Sequence, residues 1–239
     1  MEKLSSNTIG YIAALAQAIL YATMGIFGKL LYACGLSAQQ VMVARFACTI
    51  VFLGIFIAIF HERKFISKQP AVYVQSIFFF LSAWFYFIAV EHMNVGLTTV
   101  IFYTFPAVVA VMNVLVFHER FTWRIFAAMV LSLLGIVFIS GVFSPEGVTP
   151  DPLGILFAVV ACLAFAIYSV LIQKTARSES AFTVTFSLSL VSLVASLVFF
   201  SGELSGFAHV GAYEIGIASA LAILSTIMPI VLFIFAVKR

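Results

Sequence analysis

Charge is scarce in this sequence. Only 9% of its 239 residues are Asp, Glu, Lys or Arg, while 64% are hydrophobic. Soluble domains carry about a quarter charged residues, so there is too little polar surface here to coat a water-soluble globule. Cysteine is scarce too: Cys34, Cys48 and Cys162 are odd in number and lie in or beside apolar runs. A disulfide framework is not indicated, and the positions suit small thiols packed as apolar groups. No metal cluster, nucleophile arrangement or glycine-rich phosphate loop is found, so no enzyme activity, cofactor or bound metal is expected. No Asp or Glu lies deep in an apolar run, although proton-coupled carriers often use such carboxylates.

What the sequence has is long apolar runs. About 20 such residues cross the hydrocarbon core, and in lipid the backbone must satisfy its own hydrogen bonds in helices or a closed barrel. Barrel strands alternate apolar and polar residues; runs such as Ile50–Phe60 and Ala107–Met112 do not. The chain therefore reads as an all-α membrane protein with about eight transmembrane helices, near 9–33, 38–60, 70–90, 95–117, 123–143, 153–173, 182–200 and 213–236. The first run is too long for a signal-peptide core and contains Lys29, so it counts as a span. The 27 Phe, 8 Tyr and 2 Trp are accounted for by lipid contact and core packing.

The basic residues support this layout. With a cytoplasmic N-terminus, Lys3, Arg63, Lys64, Lys68, Arg120, Arg124, Lys174, Arg177, Lys238 and Arg239 all fall at cytoplasmic ends. The opposite loops hold Glu91, Glu146, Asp151, Glu203 and Glu214, with no Lys or Arg. Retention of basic residues on the cytoplasmic side sets topology. The expected location is the cell membrane, multi-pass. Topology also accounts for the net charge of +3, so nucleic acid is not an expected partner; the lipid bilayer and a small-molecule substrate are, and a homodimer stays open.

An internal repeat is visible at an offset of 144. Gly10 matches Gly154, and Ala14, Ala18 and Ala22 match Ala158, Cys162 and Ala166. Small residues four apart let helices approach closely in lipid. Phe87–Val90, ending span 3, resembles Ile234–Val237, ending span 8. Five spans separate the copies, so the second is inverted, a recurring transporter architecture. The expected domains are 9–143, a five-helix repeat, and 153–239, a repeat ending after three helices.

Segment Tyr86–Gly141 carries Ala89-Val90-Glu91-His92-Met93, Thr104-Phe105-Pro106-Ala107, His118-Glu119-Arg120-Phe121-Thr122 and Leu134-Gly135-Ile136-Val137. In that order it resembles the end of an EamA domain of the drug/metabolite transporter superfamily. His118 stands where the family usually has Gly, and Phe121 where it has Leu; Lys29 and Arg45-Phe46 also resemble the family pattern. The resemblance implies ten spans in two inverted halves and export or uptake of metabolites.

Candidate site residues come from the spans' polar faces. Tyr21 in span 1, Tyr86 in span 3, Tyr103 and Asn113 in span 4, and Tyr168 in span 6 share faces with other polar residues. Facing inward, they would line an aromatic-walled cavity with few hydrogen-bonding groups, as small-molecule sites do; facing neighbouring helices, they would only pack. Lys29 and Arg45 are the basic residues inside spans. Lys29 suits snorkelling to the headgroups. Arg45 either binds an anionic part of the substrate or braces a helix through backbone carbonyls. Pro106 and Pro229 remove a backbone donor and free the carbonyls of Phe102 and Ser225, making hinges or inert kinks. His61 and His118 are expected at cytoplasmic interfaces.

The expected function is secondary transport of small metabolites (amino-acid-like, amphipathic or anionic) by alternating access; the alternative is a non-transporting truncated or partner membrane protein. The topology gives the first test. Reporter fusions after Arg63 and after Glu146 should signal from opposite sides of the membrane, and same-side signals would overturn the eight-span layout.

Overall fold

The computed structural model describes residues 6–59, 65–117, 123–139, 151–175, 178–202 and 210–237. These residues form α1 (Ser6–Ala22), α2 (Met24–Ala33), α3 (Ala38–Ile59), α4 (Pro70–His92), α5 (Val95–Phe102), α6 (Phe105–Phe117), α7 (Trp123–Ile139), α8 (Pro152–Thr175), α9 (Ala181–Phe199), α10 (Ala212–Ala222), a π-helical turn (Ile223–Ile227) and α11 (Met228–Val237). The protein is an all-α membrane protein. Seven apolar stretches among the described residues are long enough to cross a bilayer; α7, with 17 residues, occupies the fifth predicted span. The 118–122 turn, the 140–150 linker, His61, His118, Lys3, Arg63, Lys64, Arg120, Arg177, Lys238 and Arg239 lie outside the described residues, as do Glu146 and Glu203.

Three spans depart from a regular, continuous α-helix. Span 1 divides at Thr23, whose amide bonds Leu20 O at 3.2 Å in a tightened turn. Span 4 divides at Tyr103 and Thr104, between α5 and α6. Pro106 is therefore the second residue of a new helix, where a missing N–H is tolerated. Span 8 widens into the π turn just before Pro229.

The chain forms two compact units, Met1–Phe80 with Leu171–Arg239, and Leu81–Val170. Each takes residues from both predicted repeats. In the first unit, α3 buries Val41, Met42, Arg45, Phe46, Thr49, Leu53 and Ile57, three or four residues apart, so that one helical face points inward. Val51, Phe52, Ile55 and Ile59 are exposed, the apolar surface that lipid covers. α3 packs on α9 and α10, and α1 packs on α11. Phe56 meets Phe182 with ring centroids 4.8 Å apart. The span 7 residues Thr185, Ser189, Ser192 and Ser196 are buried; Ser192 and Ser196 return their hydroxyl protons to Leu188 O and Ser192 O in the helix's own turns.

At the end of α2 the chain must reverse. Gly35 sits at φ +87°, a left-handed conformation that a side chain disfavours. Its amide bonds Tyr32 O at 2.9 Å and that of Leu36 bonds Leu31 O at 3.2 Å, closing the helix in the Schellman pattern.

The second unit centres on Ala89, Met93 and Ala158, flanked by Leu97, Ile101 and Phe157. Asn94 starts α5 by accepting the Gly96 amide at 2.7 Å. The small-residue stripe of α8 behaves as expected, with Ala158, Cys162 and Ala166 buried. Its repeat counterpart in α1 does not: Ala18 and Ala22 are exposed. The inward face of span 1 is instead the one carrying Gly10, Ala13, Met24, Gly25, Gly28 and Leu31, because α1 and α2 turn that face toward α11 and α10.

Gly154 is a close-approach point. A Cβ there would collide with Met93 Cγ and lie 3.0 Å from Met93 Sδ and 3.1 Å from His92 Cβ. Overpacking of this kind costs ~1–3 kcal/mol. Gly154→Ala should therefore lower the melting temperature in detergent, while Gly135→Ala, which meets nothing within 4 Å, should not. Equal melting of both variants would refute this packing.

Candidate functional site

The six predicted site residues fall into two groups. Tyr21 and Arg45 belong to the first unit, and Tyr86, Tyr103, Asn113 and Tyr168 to the second.

In the first unit the site is built around a buried charge. Arg45 is fully buried in α3. Its Nε donates to Thr226 Oγ1 at 2.7 Å, Nη2 to Ser225 O at 3.4 Å, and Nη1 approaches Met24 Sδ at 3.5 Å. The guanidinium also sits 5.2 Å from the Phe46 ring centroid and 5.7 Å from that of Phe79, within cation–π range. Tyr21 lies within electrostatic reach of Arg45. Thr23 Oγ1 donates to Leu20 O at 2.7 Å, so its 2.8 Å bond to Ser225 Oγ receives the serine's proton. Lys29, by contrast, is exposed on α2.

In the second unit the group is aromatic. The Tyr86 and Phe102 centroids are 5.1 Å apart, Phe102 and Phe165 5.2 Å, Phe105 and Phe165 4.6 Å, and Phe165 and Tyr168 5.3 Å. Tyr103 joins through Phe102 at 5.6 Å and Phe105 at 6.0 Å. The cluster surrounds the break of span 4. There Thr104 Oγ1 donates to Ile101 O at 2.7 Å and shares a 3.2 Å hydrogen bond with Cys162 Sγ. Tyr86 reaches Thr99 Oγ1 at 3.4 Å. Asn113 lies further along α6, its buried Oδ1 lacking a hydrogen-bond partner among the described residues. The ring contacts thus bring together three of the four residues, Tyr86, Tyr103 and Tyr168.

Two features escaped sequence reasoning. The phenylalanines of the cluster were hidden among 27 residues of that type. The π turn had only one signal, Pro229 following Ser225-Thr226 in an otherwise apolar run. Among the described residues no group of His, Cys, Asp and Glu could hold a metal.

With this geometry in view, the fold is that of a multi-pass helical membrane protein. The sequence model of the EamA-like transporter family matches residues 8–141, more than half of the chain, and the chain belongs to that family, within the drug/metabolite superfamily. It is a family of transporters rather than enzymes. A solved structure described only as "Crystal structure of protein" shares 19% sequence identity, covering 100% of this chain and 80% of its own, with a TM-score of 0.73; the likeness is one of fold. A search of curated proteins finds no match.

At the start of α8, Asp151 Oδ2 pairs with His92 Nδ1 at 2.8 Å, and Oδ1 accepts the Leu153 amide at 2.9 Å. That amide bond, with the His92 contact as a smaller contribution, holds the Asp151 carboxyl below its ordinary pKa. A depressed carboxyl stabilises the fold above its ordinary pKa and loses that contribution as pH falls through the lowered value. Stability in detergent should therefore decline on acidification below about pH 4, and less steeply in Asp151→Asn. Parallel profiles would remove Asp151 from the acid response.

Proposed function

We propose that this protein is a secondary transporter of small amphipathic metabolites, amino-acid-like ones included, working in the cytoplasmic membrane with its N-terminus inside. The observation that carries this reading is the aromatic group of Tyr86, Phe102, Tyr103, Phe105, Phe165 and Tyr168 at the break of span 4. Aromatic faces with a few hydroxyls offer broad apolar contact and sparse hydrogen bonding, which suits a solute with an apolar body and a polar end. A purely anionic solute is less well served, because Lys29 is exposed and Arg45 is engaged by Ser225 and Thr226. Interrupted backbone at membrane depth is tolerated where it is buried in protein or lines a cavity. The breaks in spans 1, 4 and 8 give alternating access its places to bend.

Protein in liposomes, offered amino acids and amphipathic amines, should accumulate or exchange at least one class. Tyr103→Ala should weaken the apparent affinity for it by about tenfold, corresponding to ~1.4 kcal/mol, while Tyr103→Phe keeps most of it. In a cysteine-free background, Tyr103→Cys and Asn113→Cys should react with a polar thiol reagent applied from either side. No flux of any solute and no labelling, with folded protein, would favour the alternative of a non-transporting partner protein.

A further inference from the structure

Arg45 is a costly residue to place here. It is fully buried in a membrane span, and ionised side chains at such positions are rare unless they serve a defined purpose. Two of its hydrogen bonds go to one short stretch of backbone and side chain. Nη2 meets the carbonyl of Ser225 and Nε the hydroxyl of Thr226. Ser225 is the residue whose carbonyl Pro229 leaves without its i+4 donor in a regular α-helix. The backbone answers by widening: the Met228 amide bonds Ile223 O, five residues back. Such π turns are rare and occur frequently at functional sites.

The same stretch is tied to the break in span 1. Ser225 Oγ bonds Thr23 Oγ1, and the Thr23 turn is tightened to an i→i−3 bond at Leu20 O. Met24, the next residue, contacts Arg45 Nη1. A tightened turn in span 1 thus lies against a widened turn in span 8, with one guanidinium from α3 touching the widened turn and Met24 beside the tightened one.

We propose that Arg45 is the brace of this paired helix break, a positioning residue that holds the π turn against Thr23 so that spans 1 and 8 bend together. Their joint bending serves alternating access, and that purpose rests on the transport reading; the brace itself does not. A fixed cation with several planar donors is needed because a carbonyl and a hydroxyl one residue apart must both be met, and lysine offers a point charge rather than a fork.

The test is a double-mutant cycle read without substrate. Arg45→Met should lower the melting temperature in detergent, with Arg45→Lys intermediate. Pro229→Ala returns the missing N–H donor, so Arg45→Met should cost far less in the Pro229→Ala background. In protein lacking Cys34, Cys48 and Cys162, Thr23→Cys with Ser225→Cys should form a disulfide readily under mild oxidation, and Arg45→Met should reduce its yield severalfold. Leu53→Ala, a core truncation in the same unit, is the control: it should lower the melting temperature, leave cross-linking unchanged and gain nothing from Pro229→Ala. Should Arg45→Met fail to fold, Arg45→Lys and Thr226→Val carry the same comparison. Strictly additive effects of Arg45 and Pro229 substitutions, or cross-linking indifferent to Arg45, would overturn the proposal. Because none of these readings involves flux, they stand or fall separately from the transport assay.

Discussion

In hydrocarbon no water is at hand to serve a stray backbone carbonyl, so each interruption of a spanning helix must be repaired by the protein itself. That requirement shapes this molecule at three points. At Thr23 the threonine's own hydroxyl donates to Leu20 O. At the break of span 4 the Thr104 hydroxyl donates to Ile101 O. At the π turn the donor comes from another helix, where Arg45 reaches Ser225 O. At the first two points the same carbonyl also receives a backbone amide, from Thr23 and Thr104, whereas the Ser225 carbonyl freed by Pro229 is met from another helix.

The two units handle their interruptions with different chemistry. In the first, a cation, hydroxyls and a thioether surround the break, and two phenylalanine faces lie against the charge. Such a group is directional and fixes geometry. In the second, stacked and edge-on rings surround the break. Aromatic contacts are broad and tolerant of what lies against them, which makes this the better surface for a variable solute. Positioning and recognition are thereby carried by different residues in the proposed mechanism.

The spans were readable because lipid imposes a length and polarity rule on each stretch of chain independently. Predicted and observed helices agree for α3, α4, α8 and α9 within a few residues at each end. Pro106 and Pro229 pointed to interrupted spans for a local reason, the missing N–H. The exact form of the interruption did not follow: Pro106 opens a new helix, and Pro229 follows a π turn. The small-residue stripe misled in α1, where Ala18 and Ala22 are exposed. Small size permits close approach but does not choose the partner. Tyr86, Tyr103 and Tyr168 were found by their helical faces, while Phe102 and Phe165 were not, since phenylalanine is also the residue that meets lipid.

The sequence by itself determined that this is a helical membrane protein and roughly where its spans lie, because those properties follow from composition and spacing along the chain; its motifs carry the resemblance to the family. It also limited the role of Arg45 to two alternatives. Only the tertiary structure showed that this side chain meets a carbonyl 180 residues away and that Thr23 meets Ser225 across 202 residues. Helical periodicity reports which face a residue occupies, but the neighbour that face meets is set by packing between distant segments. The brace, the aromatic cluster and the outward-turned alanines all depend on that choice.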